Sequence, residues 1–277
     1  MADEDARTDS QFDLERPTSR LADLVVPDDV RTQIQEIIDA GRVRDKVLDV
    51  WKVRRAIGSG VGLTVLLSGK PGTGKTITTE IIAAELERPL ARIDGSKVVS
   101  KWVGETQKNL KSALNDAVLH GAVLFFDEAD ALFAKRVAKM ESSNDRFANL
   151  ETNYLLQALE RHDGIVVLAT NIETAIDDAF KRRLLYKVEL PMPDAPARAL
   201  IWEGILRRSD APVQQPIDFA KLGKRYELAG GHIKNAILRA CYRAATERTQ
   251  VTHALLDAAA SAELSSTGAL VVHRGDD

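Results

Sequence analysis

Cysteine is almost missing: Cys241 is the only one in 277 residues. That excludes an intrachain disulfide and any CxxC metal pair, and it suits a reducing compartment, so a cytoplasmic location is expected. Long apolar runs are missing as well. Even AVLFF at 122–126, which no other run exceeds, falls far short of the roughly 20 residues that span a bilayer. The acidic start MADEDARTDSQFDLERPTSR has neither the basic flank nor the apolar stretch of a signal peptide, so no membrane association is expected. Neither sign of charge is in excess, with 38 basic residues against 41 acidic ones and a formal net charge of −3; no chain-wide basic field marks a nucleic-acid partner. His120, His162, His232, His253 and His273 show no metal-ligand spacing, and no Ser-His-Asp or nucleophilic Cys arrangement is visible, which argues against a protease.

Apolar residues are plentiful, at 44% of the chain, and two domains of unequal size are expected. Val30, Ile34, Ile37 and Ile38, then Val43, Val47, Leu48 and Trp51, recur at helical spacing, which predicts two amphipathic helices across 28–56 with a break at Gly41. Short apolar runs follow: LTVLL (63–67), LARID (90–94), AVLFFD (122–127), IVVLAT (165–170) and LYKVEL (185–190). Five such runs separated by helical patterns predict a parallel sheet with right-handed crossovers inside a three-layer α/β domain. After LPMPDAP the strands stop, and 195–209, 217–226, 231–248 and 252–263 all read as helix. The expected division is a disordered acidic tail at 1–22, an α/β domain at 23–194, a helical domain at 195–265 and a loose tail at 266–277.

The run GKPGTGKT at 69–76 follows a predicted strand and opens a predicted helix, the context that the GxxxxGK[ST] pattern requires. Gly69, Gly72 and Gly74 allow the backbone to wrap a phosphate chain with its amides, and the helix N-terminus adds a positive dipole end. Lys75 is expected to reach the β- and γ-phosphates, and the Thr76 hydroxyl to sit on Mg2+; Pro71, Thr73 and Ile77 complete the expected ATP-binding run. In AVLFFDE a buried strand runs out to two carboxylates. Asp127 suits the Mg2+ shell, and Glu128 suits the polarisation of a water for attack on the γ-phosphoryl group. Taken alone, the acidic pair could instead cap the next helix. Asn171, closing LATN, can orient that water or simply end the strand with a side-chain turn. Lys181, Arg182 and Arg183 in AFKRRL either complement a helix C-terminus or offer a guanidinium to a neighbouring subunit's γ-phosphate.

Together these residues resemble the AAA ATPases, in the branch that includes katanin and spastin. The resemblance covers about 23–265 and rests on GKPGTGKT, KWVGET, VLFFDEADALF, LATN, AFKRRL and LAGGHIKNA in order. It implies a P-loop NTPase fold with a five-stranded parallel sheet of order 5-1-4-3-2, a small C-terminal helical lid, and a homo-oligomeric ring, usually a hexamer. Catalytic roles carry over to Lys75, Thr76, Asp127, Glu128 and Asn171, and to Arg182 and Arg183 acting across the subunit boundary. By the same resemblance Lys101, Trp102, Val103 and Gly104 are expected to line a central pore and grip polypeptide; an exposed Trp on a Gly loop offers apolar area to any side chain. Gly230 and Gly231 are expected to approach the adenine by backbone, with Val25 on its other side.

There are departures from the family's pattern. Lys70 stands where the family has Pro, LLYKVEL lacks a second Arg that many relatives carry after Arg183, and DLVVP replaces a more Gly-rich stretch. Two segments, DRFANLETNYLLQALERHDGIVVLATN and LAGGHIKNAILRA, are further similar to bacterial AAA proteins encoded with extracellular contractile injection systems. The function implied is an ATP-hydrolysing ring that remodels, unfolds or translocates protein clients through its pore. The alternative is a nucleotide-dependent assembly factor or adaptor that docks a partner without threading it. A nucleic-acid motor, suggested by the letters DEAD alone, has no basic or aromatic platform to support it.

Overall fold

The computed structural model describes residues 14–58, 60–94, 114–130, 157–159, 161–171, 182 and 184–266. The chain divides into two compact units: Met1–Leu21, Asp28–Gly69 and Lys75–Leu190 make the first, and Ala22–Pro27, Lys70–Gly74 and Pro191–Asp277 make the second.

The first unit is built on a six-stranded sheet. Its strands are β1 (Leu14–Glu15), β2 (Leu63–Ser68), β3 (Leu90–Asp94), β4 (Val123–Asp127), β5 (Ile165–Thr170) and β6 (Tyr186–Glu189), in the order β1-β3-β4-β5-β2-β6. All pairings are parallel except that of β1 with β3. The five parallel strands, numbered among themselves and read from the β6 edge, run 5-1-4-3-2, as the resemblance implied. They lie within a residue or two of the apolar runs because a strand covered on both faces has no polar alternation to blur its ends. All six residues of β5 are buried. Leu66, Leu124, Phe126, Val166 and Leu168, alternate residues of neighbouring strands and so one face of the sheet, pack with Leu114, Ala117 and Leu159 from the helical stretches 114–119 and 157–159. Two further helices, α1 (Asp28–Asp45) and α3 (Lys75–Glu85), also pack on the sheet.

Two expectations need correction. Leu14–Glu15 falls within the stretch read as a disordered tail, yet it forms the antiparallel edge strand, with Leu14 opposite Ala91 and packed on the core. The helix break expected at Gly41 is also absent: α1 passes straight through it and leads into a π-helical turn, Lys46–Val50, before α2 (Val53–Ile57). Gly41 is there for proximity. A Cβ at that position would stand 2.8 Å from Leu86 Cδ2, so the glycine lets α1 approach the chain after α3.

The second unit holds α4 (Ala195–Arg207), α5 (Phe219–Arg225), α6 (Gly230–Glu247) and α7 (His253–Ser266). Asp194 and Asp218 cap the first two, accepting from the amides of Ala197 and Lys221, both at 2.8 Å. Trp202, Leu222, Tyr226, Ile233 and Leu256 form the centre of its core. This unit includes Pro191 onward rather than 195 onward and also takes in Ala22–Pro27 and Lys70–Gly74, of which the sequence reading assigns 22 to the tail and the rest to the α/β domain.

Candidate functional site

The C-terminal ends of β2, β4 and β5 bring together Gly69, Lys75, Thr76, Asp127, Glu128 and Asn171 of the residues singled out from the sequence. β2 ends at Ser68, and Gly69 follows at φ 146°, a backbone setting that suits only glycine. Lys75 opens α3 and is buried; its Nζ donates to the Gly69 carbonyl at 2.8 Å. Burial pushes its pKa below the ordinary lysine value, and the carboxylates of Asp127 and Asp130 oppose that shift. A cation with part of its hydration removed and two carboxylates in reach is set to be stabilised further by a polyanion. Thr76 follows in the first turn of α3, half-buried, and Ile77 is exposed.

At the end of β4, Asp127 is half-exposed and accepts the Glu128 amide at 3.1 Å. Glu128 has φ 53°, uncommon for a residue with a side chain, and is exposed. The two adjacent carboxylates differ in exposure across this turn. The Ala129 amide then donates to Ala169 at 2.8 Å, and Asp130 Oδ1 accepts from the Thr170 hydroxyl and the Asn171 amide, both at 3.3 Å. Asp130 thereby ties the acidic turn to the end of β5 and fixes where Asn171 leaves the strand, with its side chain exposed. Sequence reading passed over Asp130, and its only local signal was its place in the DEAD run.

Arg92 on β3 was also passed over. Its Nε and Nη2 grip both Glu15 oxygens at 3.2 Å, Nη2 reaches Glu80 of α3 at 3.0 Å, and Nη1 stands 3.7 Å from Asp127 Oδ2. No short-range pattern could have signalled it, because each partner comes from a different element.

In the second unit, the turn 70–74 is closed by the Thr73 amide and hydroxyl on the Lys70 carbonyl, at 3.3 and 2.9 Å. Gly72, at φ 79°, accepts the Gly231 amide at 3.0 Å, and a Cβ on Gly231 would lie 3.2 Å from Gly72 Cα. Gly231 is thus held in close approach to the turn with its amide engaged there, whereas a Cβ on Gly230 would meet nothing nearer than 3.5 Å. Val25 is half-buried beside Leu24, in a segment where Asp23 pairs with Arg208 at 3.2 Å.

Lys101, Trp102, Val103, Gly104 and Arg183 lie outside the described residues; Arg182 is described and is exposed. Among the described residues no group of three or more His, Cys, Asp or Glu could cage a metal ion. Mg2+ uses one or two protein oxygens plus substrate phosphates, and Asp127 and Thr76 carry oxygens of this kind. No helix of the described residues is long and apolar enough to cross a membrane.

Residues 65–192 match the model of the ATPase family associated with various cellular activities (AAA). Among curated proteins the chain is similar to Fidgetin-like protein 1 of Drosophila melanogaster, 34% identical over 167 residues that cover 58% of this chain and 32% of that protein. It is similar to Spastin of Xenopus tropicalis at 29% over 205 residues, 72% of this chain and 32% of that one. Vacuolar protein sorting-associated protein 4B of Mus musculus is 32% identical over 181 residues, 63% and 40% of the two chains. The chain thus spans about a third of the length of these relatives. The crystal structure of the FIGL-1 AAA domain in complex with ADP superposes with a TM-score of 0.66 at 21% identity, covering 97% of this chain and 89% of that one; the two share the fold.

Proposed function

From the match of residues 65–192 to the AAA family model we propose that the chain is an AAA ATPase, that it hydrolyses ATP to ADP and phosphate and that, as a ring of identical subunits, it uses the reaction to remodel protein clients. The observation that carries the reading is the convergence at three neighbouring strand ends of a buried lysine, an adjacent carboxylate pair whose second member has a positive φ, and an exposed Asn. The amides of 69–76 and the Lys75 ammonium hold the triphosphate, replacing water around the β- and γ-phosphoryl oxygens with fixed dipoles and one charge. Glu128 draws a proton from the attacking water, which displaces ADP from the γ-phosphorus, while the Asn171 side chain orients that water. Thr76 and Asp127 hold Mg2+, which supplies neutralisation of phosphate charge.

Arg182 and Arg183 are assigned to the γ-phosphate of the adjoining subunit, and Lys101, Trp102, Val103 and Gly104 to a central pore, both by resemblance to the family. The cytoplasm is the expected compartment. A narrower role in contractile injection systems rests on the wording of two segments alone, and the relatives found give it no support. Our reading therefore stops at protein remodelling.

The test is Glu128→Gln, which keeps the side chain's size and removes its basicity. ATP turnover is expected to fall about 100-fold or more, with ATP still bound and a defined ring accumulating by mass in ATP and Mg2+. Unchanged turnover contradicts the mechanism. Assembly on nucleotide by a wild-type protein that never hydrolyses it makes the chain an assembly factor instead.

A further inference from the structure

Among the described residues of the α/β unit, Arg92 is the cation shared by the most carboxylates. One guanidinium faces three carboxylates, Glu15 from β1, Glu80 from α3 and Asp127 from β4. Its planar fork has five N–H donors in fixed directions. The Nε and Nη2 edge is taken by Glu15 with two bonds of 3.2 Å, and Nη2 also serves Glu80 at 3.0 Å. Its Nη1 corner points to Asp127 Oδ2 and stops at 3.7 Å, beyond hydrogen-bond distance. Cζ stands over the Phe125 ring, 5.3 Å from its centroid. Phe125 lies directly opposite Arg92 in the sheet, and Asp127, two residues on, shares its face. Arg92 is thus held a few tenths of an ångström short of the carboxylate assigned above to the metal.

Glu15 supplies the firmest part of that hold, and it is placed by the edge strand: Leu14 packs into the core, and the pair Leu14–Glu15 runs antiparallel to Leu90–Ala91. We propose that Arg92 is a positioning residue through which the N-terminal strand sets the affinity of Asp127 for its divalent cation. The inference rests on the metal role given to Asp127 in the proposed function. With Glu15 in place, the guanidinium is neutralised and kept off Asp127. With Glu15 gone, the fork closes on Asp127, so that its positive charge competes for the oxygens a divalent cation needs. The N-terminal strand then acts as a lever on the nucleotide site without touching nucleotide. Whatever displaces Leu14–Glu15 from the sheet edge loosens the metal.

The experiment measures Mn2+ binding to the full chain in the presence of ADP, by electron paramagnetic resonance of the free ion, so that catalysis plays no part. Four proteins are compared: wild type, Glu15→Gln, Arg92→Gln and the double variant. Because Arg92 and Glu15 are partly exposed, the expected effect is that of a screened pair. Glu15→Gln weakens Mn2+ binding about two- to fivefold, Arg92→Gln does not weaken it, and the double variant matches Arg92→Gln, since Glu15 acts only through Arg92. Turnover of Glu15→Gln at saturating Mg2+ stays at the wild-type level, and urea unfolding run alongside confirms a folded protein. An unshifted Mn2+ affinity in Glu15→Gln, or a double variant that keeps the Glu15→Gln deficit, overturns the lever and leaves the ATPase reading standing. A wild-type protein with no ADP-dependent Mn2+ site overturns both.

Discussion

The two ends of the parallel sheet treat polar groups in opposite ways. At the C-terminal ends of β2, β4 and β5 only Lys75 of the candidate site side chains is buried: Asp127 is half-exposed and accepts the Glu128 amide, Glu128 and Asn171 are exposed, and Asp130 accepts the Asn171 backbone amide. At the N-terminal ends, polar groups are buried and fenced by glycines. His162 sits just before β5 with its Nε2 buried and without a hydrogen-bond partner. A Cβ on Gly62 would fall 2.1 Å from the His162 carbonyl oxygen, and one on Gly164 would fall 2.3 Å from Nε2. The Gly164 carbonyl receives the Leu63 amide at 3.0 Å, and Arg44 and Arg54 hold Asp163 from outside. A parallel sheet presents its carboxyl ends to ligands. Here the carboxyl end carries the proposed site and the opposite end a buried histidine fenced by glycines, and the two can be broken separately.

The largest effect on stability is expected from Gly62→Ala. The new methyl group meets backbone, which cannot step aside, so overpacking is expected to cost about 3 kcal/mol, read as a lowered urea midpoint at unchanged slope, with ATP affinity of the folded fraction unaltered. A smaller effect comes from protons. Burial, reinforced by Arg44 and opposed by Asp163, lowers the His162 pKa from 6.5 to about 4. The unfolded chain then binds the extra proton between those values, so stability falls as pH falls from 6.5 towards 4. Between pH 7 and pH 5 this one residue is expected to remove about 2 kcal/mol. In His162→Leu the fall over that interval is smaller by about that amount, and equal slopes in the two proteins would remove His162 from the account.

Much of this was legible because parallel strands announce themselves. LTVLL, AVLFFD and IVVLAT have no polar alternation, and the glycines with Lys75 and Thr76 stand at the one junction where that spacing has a chemical use. What escaped was whatever depends on partners distant in sequence. Leu14–Glu15 is too short to carry a period, so nothing local marked it as a strand. Gly41 reads as a helix breaker until Leu86 is seen against it. Arg92 looks like a surface charge in LARID, and only the sheet register puts it beside Phe125 and near Asp127. The Gly230–Gly231 pair was expected to approach adenine by backbone; in the structure the Gly231 amide donates to Gly72 of the turn 70–74.

The central claim is that the carboxyl end of the sheet holds a triphosphate through the charge on Lys75. Its most direct test is equilibrium binding of ATP to wild type and to Lys75→Met, which keeps the side chain's length and apolar body while removing the ammonium. Loss of a charge-assisted contact predicts binding weaker by about tenfold to 100-fold, with the unfolding midpoint held or raised because a buried cation has been removed. Equal ATP affinity in the two proteins would contradict the assignment.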